Sequence, residues 1–165
     1  MSFLWPYFWP ILAAGLATGA AAGTIALRRG RRITVIMFGL IATLAWAALW
    51  HGPLGAADRF AERVDHTSRA TLDYYEMAQV TGRLQRRPLS RDLMLSGPAD
   101  DFQRGEIRRV LGDVPGVRSA RWSPPRVRFP LLSEAAFAAL AGFLAGLLLA
   151  YVVEARRRYN DQWNW

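Results

Sequence analysis

His51 follows Ala47 by four residues, a spacing that puts both on one helix face. A histidine one turn beyond a small residue can ligate the magnesium of a chlorophyll-type pigment, because the small side chain leaves room for the macrocycle. Beside the helix-breaking Gly52-Pro53, His51 has a simpler reading as an interfacial or capping histidine, and pigment ligation stands as the sharper alternative. His66 has Asp65 beside it but no second ligand at metal spacing, so it reads as a surface residue and no metal site is expected. Asp65, Asp73, Glu76, Asp92, Asp100, Asp101 and Asp113 lie in an Arg-rich segment. Paired carboxylates can do acid–base work. Here they read as a solvated surface and as acids at helix starts. The chain has no Cys, which excludes a disulfide framework, a thiolate metal site and a Cys nucleophile. With no nucleophile–base pair, metal cluster or phosphate loop in view, no catalytic residue is assigned. The chain is expected not to be an enzyme and to carry no cofactor of its own beyond bound lipid.

The elements that would position any such groups are three long apolar runs: Trp5 to Leu27, Ile33 to Trp50 and Leu131 to Val153. A membrane span needs about 20 predominantly apolar residues. The first and third runs meet that length, and the second is just long enough. The first has no basic residue before it and exceeds a signal-peptide core, so it is expected to be a retained helix. Glycine ladders mark two of the runs: Gly15, Gly19 and Gly23 in the first, Gly142 and Gly146 in the last. In lipid, such small-residue faces let another helix backbone approach closely. They serve either self-packing of the first and third spans or packing on a partner or flat cofactor. Glu134 and Glu154 flank the third run, and no ionisable group lies in the middle of any span, which argues against a transporter or proton pump.

All 21 basic residues are Arg, and the net charge is +8. That charge alone does not argue for nucleic acid, and no nucleic-acid partner is expected. Position reports topology instead. Arg28, Arg29, Arg31 and Arg32 sit between the first two runs with no acid among them, and Arg156, Arg157 and Arg158 follow the third. Three spans put both clusters on one side, expected to be cytoplasmic in a bacterial inner membrane. The N-terminus and the segment His51 to Pro130, with 14 Arg against 10 acids, then lie in the periplasm and the C-terminus in the cytoplasm. Trp5, Tyr7, Phe8 and Trp9 at one end, Trp46 and Trp50 at the next, and Tyr159, Trp163 and Trp165 at the last read as interface anchors. Trp163 and Trp165 have a second reading as a docking tail on a partner.

The intervening segment has its own grammar. A helical stretch from Ala56 carries Phe60, Val64 and Leu72 toward a core. Met77 to Leu84 and Leu89 to Leu95 read as short strands around Arg86-Arg87-Pro88. Pro98, Asp100 and Asp101 suit a helix start, followed by Phe102, Ile107, Val110, Leu111 and Val114 on an apolar side. Gly112 is the expected stop, and Val117 to Trp122 a last strand. Arg83, Arg86, Arg87 and Arg91 cluster at the hairpin, as a solvated tip or as a contact to anionic lipid or an acidic partner. Ser123-Pro124-Pro125 is a stiff connector into Arg126-Val127-Arg128-Phe129-Pro130, where alternating Arg can meet headgroups.

This order of helix–strand–strand–helix–strand has Leu93-Met94-Leu95-Ser96-Gly97 before a helix and Val114-Pro115-Gly116-Val117 before a strand. It resembles the BON domain of bacterial envelope proteins over about residues 58–122. The segment departs from that pattern at Gln85 to Ser90, where a basic, Pro-containing insertion is expected to lengthen the hairpin. The resemblance implies attachment to phospholipid surfaces or to other envelope proteins and no catalytic residues. The three-span frame is no part of it.

The expected organisation is residues 1–50 as two spans (about 5–27 and 33–50) with an Arg-rich turn, residues 51–130 as a periplasmic α+β module, and residues 131–165 as a third span (131–153) with an aromatic tail. The expected role is a non-catalytic accessory or scaffold subunit of a larger inner-membrane complex, with energy-transducing respiratory or photosynthetic complexes as natural hosts by analogy. Its partners would be other integral membrane subunits and lipid, met through the Gly-faced helices and the outer module. The alternative is an independent envelope tether acting through the BON-like module.

Overall fold

The computed structural model describes residues 4–29, 32–123 and 129–162. Arg31, Trp163 and Trp165 lie outside the described residues, as do Pro124, Pro125, Arg126, Val127 and Arg128 of the connector. The elements run α1 (Trp5–Arg29), α2 (Arg32–His51), α3 (Ala56–Tyr74), β1 (Thr81–Arg86), β2 (Leu89–Ser96), α4 (Asp101–Gly112), β3 (Ser119–Arg121) and α5 (Leu131–Asp161). They gather into two compact units, Met1–Tyr7 with Gly55–Ser133 and Phe8–Leu54 with Glu134–Trp165.

The helical unit is built on α1, α2 and α5, three helices long and apolar enough to cross a membrane. At 25, 20 and 31 residues they extend roughly 37, 30 and 46 Å at the usual helical rise. The helix of the last apolar run does not stop with that run at Val153. The helix continues through Asp161, since the residues beyond are good helix formers and Arg158 pairs with Glu154 one turn back, 3.4 Å apart.

The smaller unit is a three-stranded sheet, ordered β1-β2-β3, with α3 and α4. β1 pairs antiparallel with β2, and β2 pairs parallel with β3 in the register Asp92–Ser119, Leu93–Ala120, Met94–Arg121. Phe60, Ala61, Val64, Ser68 and Leu72 form one buried stripe of α3 at spacings of three and four, as an amphipathic helix requires. They share the core with Leu84, Leu93, Leu95, Ile107, Leu111 and Ala120. Tyr7, on the first turn of α1, is buried in this unit, its ring 5.9 Å from that of Phe60. α4 starts with a reciprocal cap: Asp100 accepts from the Gln103 N–H, and Gln103 accepts from the Asp100 N–H.

Two turns demand glycine. Gly97 has φ +133° and Gly116 φ +99°, values that L side chains avoid, and at Gly116 a Cβ would also crowd Phe60 and Val64. These are the Ser-Gly and Pro-Gly landmarks of the sequence.

Several boundaries differ from expectation. β1 begins at Thr81 rather than Met77, because residues 75–77 close α3: Glu76 sits in the left-handed region (φ 57°) and the Met77 N–H reaches back to the Leu72 carbonyl. Pro98 precedes the cap residue instead of opening the helix. Residues 85–90 do lengthen the hairpin, as expected. They extend both strands past a bulge between Leu84 and Arg86, leaving Arg87-Pro88, joined by a cis peptide, as the tip. Phe102 is not core but 79% exposed, since Ile107 and Leu111 already supply the buried face of α4.

Candidate functional site

The glycine ladders meet each other. A Cβ on Gly15 would lie 2.5 Å from the Ala139 carbonyl oxygen and 3.0 Å from the Phe143 nitrogen. On Gly19 it would collide with the Phe143 carbonyl, on Gly142 with that of Leu12, and on Gly146 with that of Leu16. Gly23 faces Leu147 and Ala150. The residue numbers rise together along both helices, so α1 and α5 run parallel with backbones in contact. Both ladders therefore meet within the chain: of the two alternatives that the sequence left open, these glycines serve the self-packing of α1 and α5.

α2 completes the bundle in the opposite direction. Gly39 abuts Ala22 and the Phe143 ring, and the hydroxyls of Thr18 and Thr43 lie 2.6 Å apart. Thr18 Oγ1 is also within bonding distance of the Ala14 and Gly15 carbonyls, and Thr43 Oγ1 of the Gly39 carbonyl. Each hydroxyl holds one proton, so one of them donates across the interface and the other to its own helix.

The parallel pairing brings the basic clusters together. Arg28 lies 3.7 Å from Glu154, whose other partner is Arg158 at 3.4 Å. Arg32, Arg156 and Arg157 are exposed in the helices that begin or end there. Arg29 closes α1. Glu134 sits in the first turn of α5, at the opposite end from Glu154. His51 is the last residue of α2, half-buried, and Ala47 one turn earlier is only 2% exposed. Ala47 is thus packed against protein on the face it shares with His51. Trp46 and Trp50 stack beside it with ring centroids 6.4 Å apart.

On the smaller unit the hairpin arginines separate into distinct roles. Arg86 pairs with Asp65 Oδ2 at 3.0 Å, and Asp65 Oδ1 accepts the Leu84 N–H at 2.8 Å. Arg91 turns inward, and its Nε donates to the Gly116 carbonyl. Arg83 and Arg87 are exposed and in no ion pair among the described residues. Two acids read as solvated surface have other work. Asp65 caps the strand edge, and Asp92, its side chain 3% exposed, accepts a bidentate guanidinium from Arg118 and the Ser119 hydroxyl. No local signal marks Asp92, since its partners are 26 and 27 residues away. Phe129 lies against the same guanidinium, 5.7 Å from its ring centroid. His66 is exposed, and among the described residues no three His, Cys, Asp or Glu side chains converge as metal ligands. Glu106 beside Arg109 raises that guanidinium above its usual value, leaving it charged at every relevant pH.

No family model, curated protein or solved structure matches this chain.

A second exposed feature went unforeseen. A cleft of about 290 Å³ between α3 and α4 is lined by Leu72, Tyr75, Met77, Phe102, Ile107 and Val110. Phe102 signalled it only as an apolar residue in an amphipathic helix, which does not distinguish the face covered by the sheet from the one left open.

Proposed function

We propose that this chain is a three-span protein of a bacterial inner membrane and serves as a non-catalytic accessory or scaffold subunit of a larger membrane complex. The observation that carries the reading is the parallel α1–α5 seam. It gathers Arg28, Arg32 and Arg156–Arg158 at one end of the bundle, while the chain leaves α2 and re-enters α5 at the other. With basic residues retained on the cytoplasmic side, the BON-like module between them lies in the periplasm. The seam consumes the small-residue faces, so docking falls to the outer apolar surfaces, such as Ile33, Phe38 and Ile41 of α2 and Phe137, Leu144 and Leu148 of α5, and to the module. An envelope tether acting alone is the second reading, supported by the exposed Arg83 and Arg87 of the module.

Two experiments test this. Single cysteines at Ser96 and Arg157, both exposed, are expected to react with an impermeant maleimide from outside and only after permeabilisation, respectively. The reverse pattern would invert the topology. On a native gel of mild-detergent membranes, the tagged chain is expected to migrate with a large complex at fixed ratio. Migration as a free small protein would remove the subunit reading and leave the tether.

A further inference from the structure

β1 is an edge strand, and its outer side carries a partly used recognition surface. The Leu84 N–H points off the sheet, since it bonds Asp65 rather than β2. By the two-residue alternation of an antiparallel ladder, the N–H and C=O of Gly82, paired with Leu95, face the same way. Beside Leu84 the edge already holds a carboxylate: Asp65 takes the backbone N–H with one oxygen and Arg86 with the other. Two residues along, at Gly82, no acid among the described residues takes the backbone N–H in this way. There a cleft of about 430 Å³ opens between α3 and β1, lined by Asp65, His66, Arg69, Gly82, Arg83 and Arg86. Arg69 and Arg83 are exposed and in no ion pair among the described residues.

We propose that this edge receives an extended acidic segment of a partner protein, which adds to β1 as a fourth strand and sets its carboxylates against Arg69 and Arg83. Gly82 and Leu84 offer acceptors as well as a donor along the edge, which a strand uses in full and a phosphate headgroup cannot. The charge of the cleft selects acidic side chains, and the Asp65 arrangement is the internal precedent for a carboxylate on this edge. The inference rests on the docking reading above only for its setting, and its assay needs no host complex.

The test uses the full chain in dodecylmaltoside and a fluorescein-labelled peptide of about eight residues alternating Glu and Val. Anisotropy is expected to show saturable binding. Replacing Glu by Gln in the peptide, or both Arg69 and Arg83 by Ala in the protein, is expected to weaken it about tenfold, as two or three exposed ion pairs together would. N-methylating alternate peptide nitrogens is expected to abolish binding in one alternation and spare it in the other, because only one set of N–H groups faces β1. The peptide arms leave the protein unaltered, so they hold even if the double variant does not fold. Equal affinity for the Glu and Gln peptides, or equal tolerance of both methylation patterns, would overturn the proposal. So would an absence of peptide binding with capture of short-chain phosphatidylglycerol by Arg69 and Arg83, which would make the site a lipid contact.

Discussion

Gly19→Ala should be the most damaging single methyl that can be added to the helical unit. At Gly15 a Cβ would sit 2.5 Å from a carbonyl oxygen where ordinary contact is 3.4 Å or more, and at Gly19 the overlap with the Phe143 carbonyl is deeper. The obstacle is backbone, which cannot rotate aside as a side chain can. α1 and α5 must therefore separate by about 1 Å, a gap that forfeits a quarter to a half of each close contact along the seam. Overpacking of this kind costs about 1–3 kcal/mol, and we expect about 2 for Gly19→Ala. Gly105→Ala, with nothing within 4 Å of the added methyl, should instead stabilise α4 by about 1 kcal/mol through helix propensity. The absence of native Cys allows pyrene labels at Leu27→Cys and Ala155→Cys, which line one cleft at the arginine end. Excimer loss during SDS titration in dodecylmaltoside then reads separation of the spans. Gly19→Ala should shift the midpoint down clearly, and Gly105→Ala should leave it unchanged. A wild-type midpoint for Gly19→Ala would mean that the backbones do not touch there, and the seam would be wrong.

Thr43→Val should cost only about 0.6 kcal/mol in the same titration, since Thr18 can return its proton to its own helix, and Thr18→Val with Thr43→Val together should cost no more than about either alone. In the smaller unit, Arg118→Met should destabilise by about 3 kcal/mol, more than Asp92→Asn. The first leaves a carboxylate 3% exposed without its cation, whereas the second leaves a guanidinium that is 35% exposed and can reach water. Thermal melts followed by near-UV circular dichroism would measure the difference, and the reverse order would contradict the burial argument. Glu76→Gly should raise the melting temperature, by relieving about 1 kcal/mol of left-handed strain at φ 57°.

The amino-acid sequence on its own determined the features that depend on neighbours in the chain. The three apolar runs set three long helices because length and continuous apolarity are local properties. The amphipathic stripe of α3, the acids at the start of α4, and the glycines at 97 and 116 were legible for the same reason. The succession of elements in the small unit followed from its turns, whereas the parallel pairing of β2 with β3 did not, and β1 starts four residues later than its pattern suggests because nothing local announces that Glu76 takes a glycine's conformation. Tertiary structure alone decided which partner each face meets. A ladder of glycines states that some backbone comes close, and only the fold assigned Gly15, Gly19 and Gly23 to α5. Asp92 looks like any surface acid until Arg118 is folded against it, and Phe102 looks like core until Ile107 and Leu111 have filled the available face. The physical divide is one of range. Helix formation, capping and turn strain are settled within a few residues, whereas burial and ion pairing depend on groups that folding brings from far along the chain.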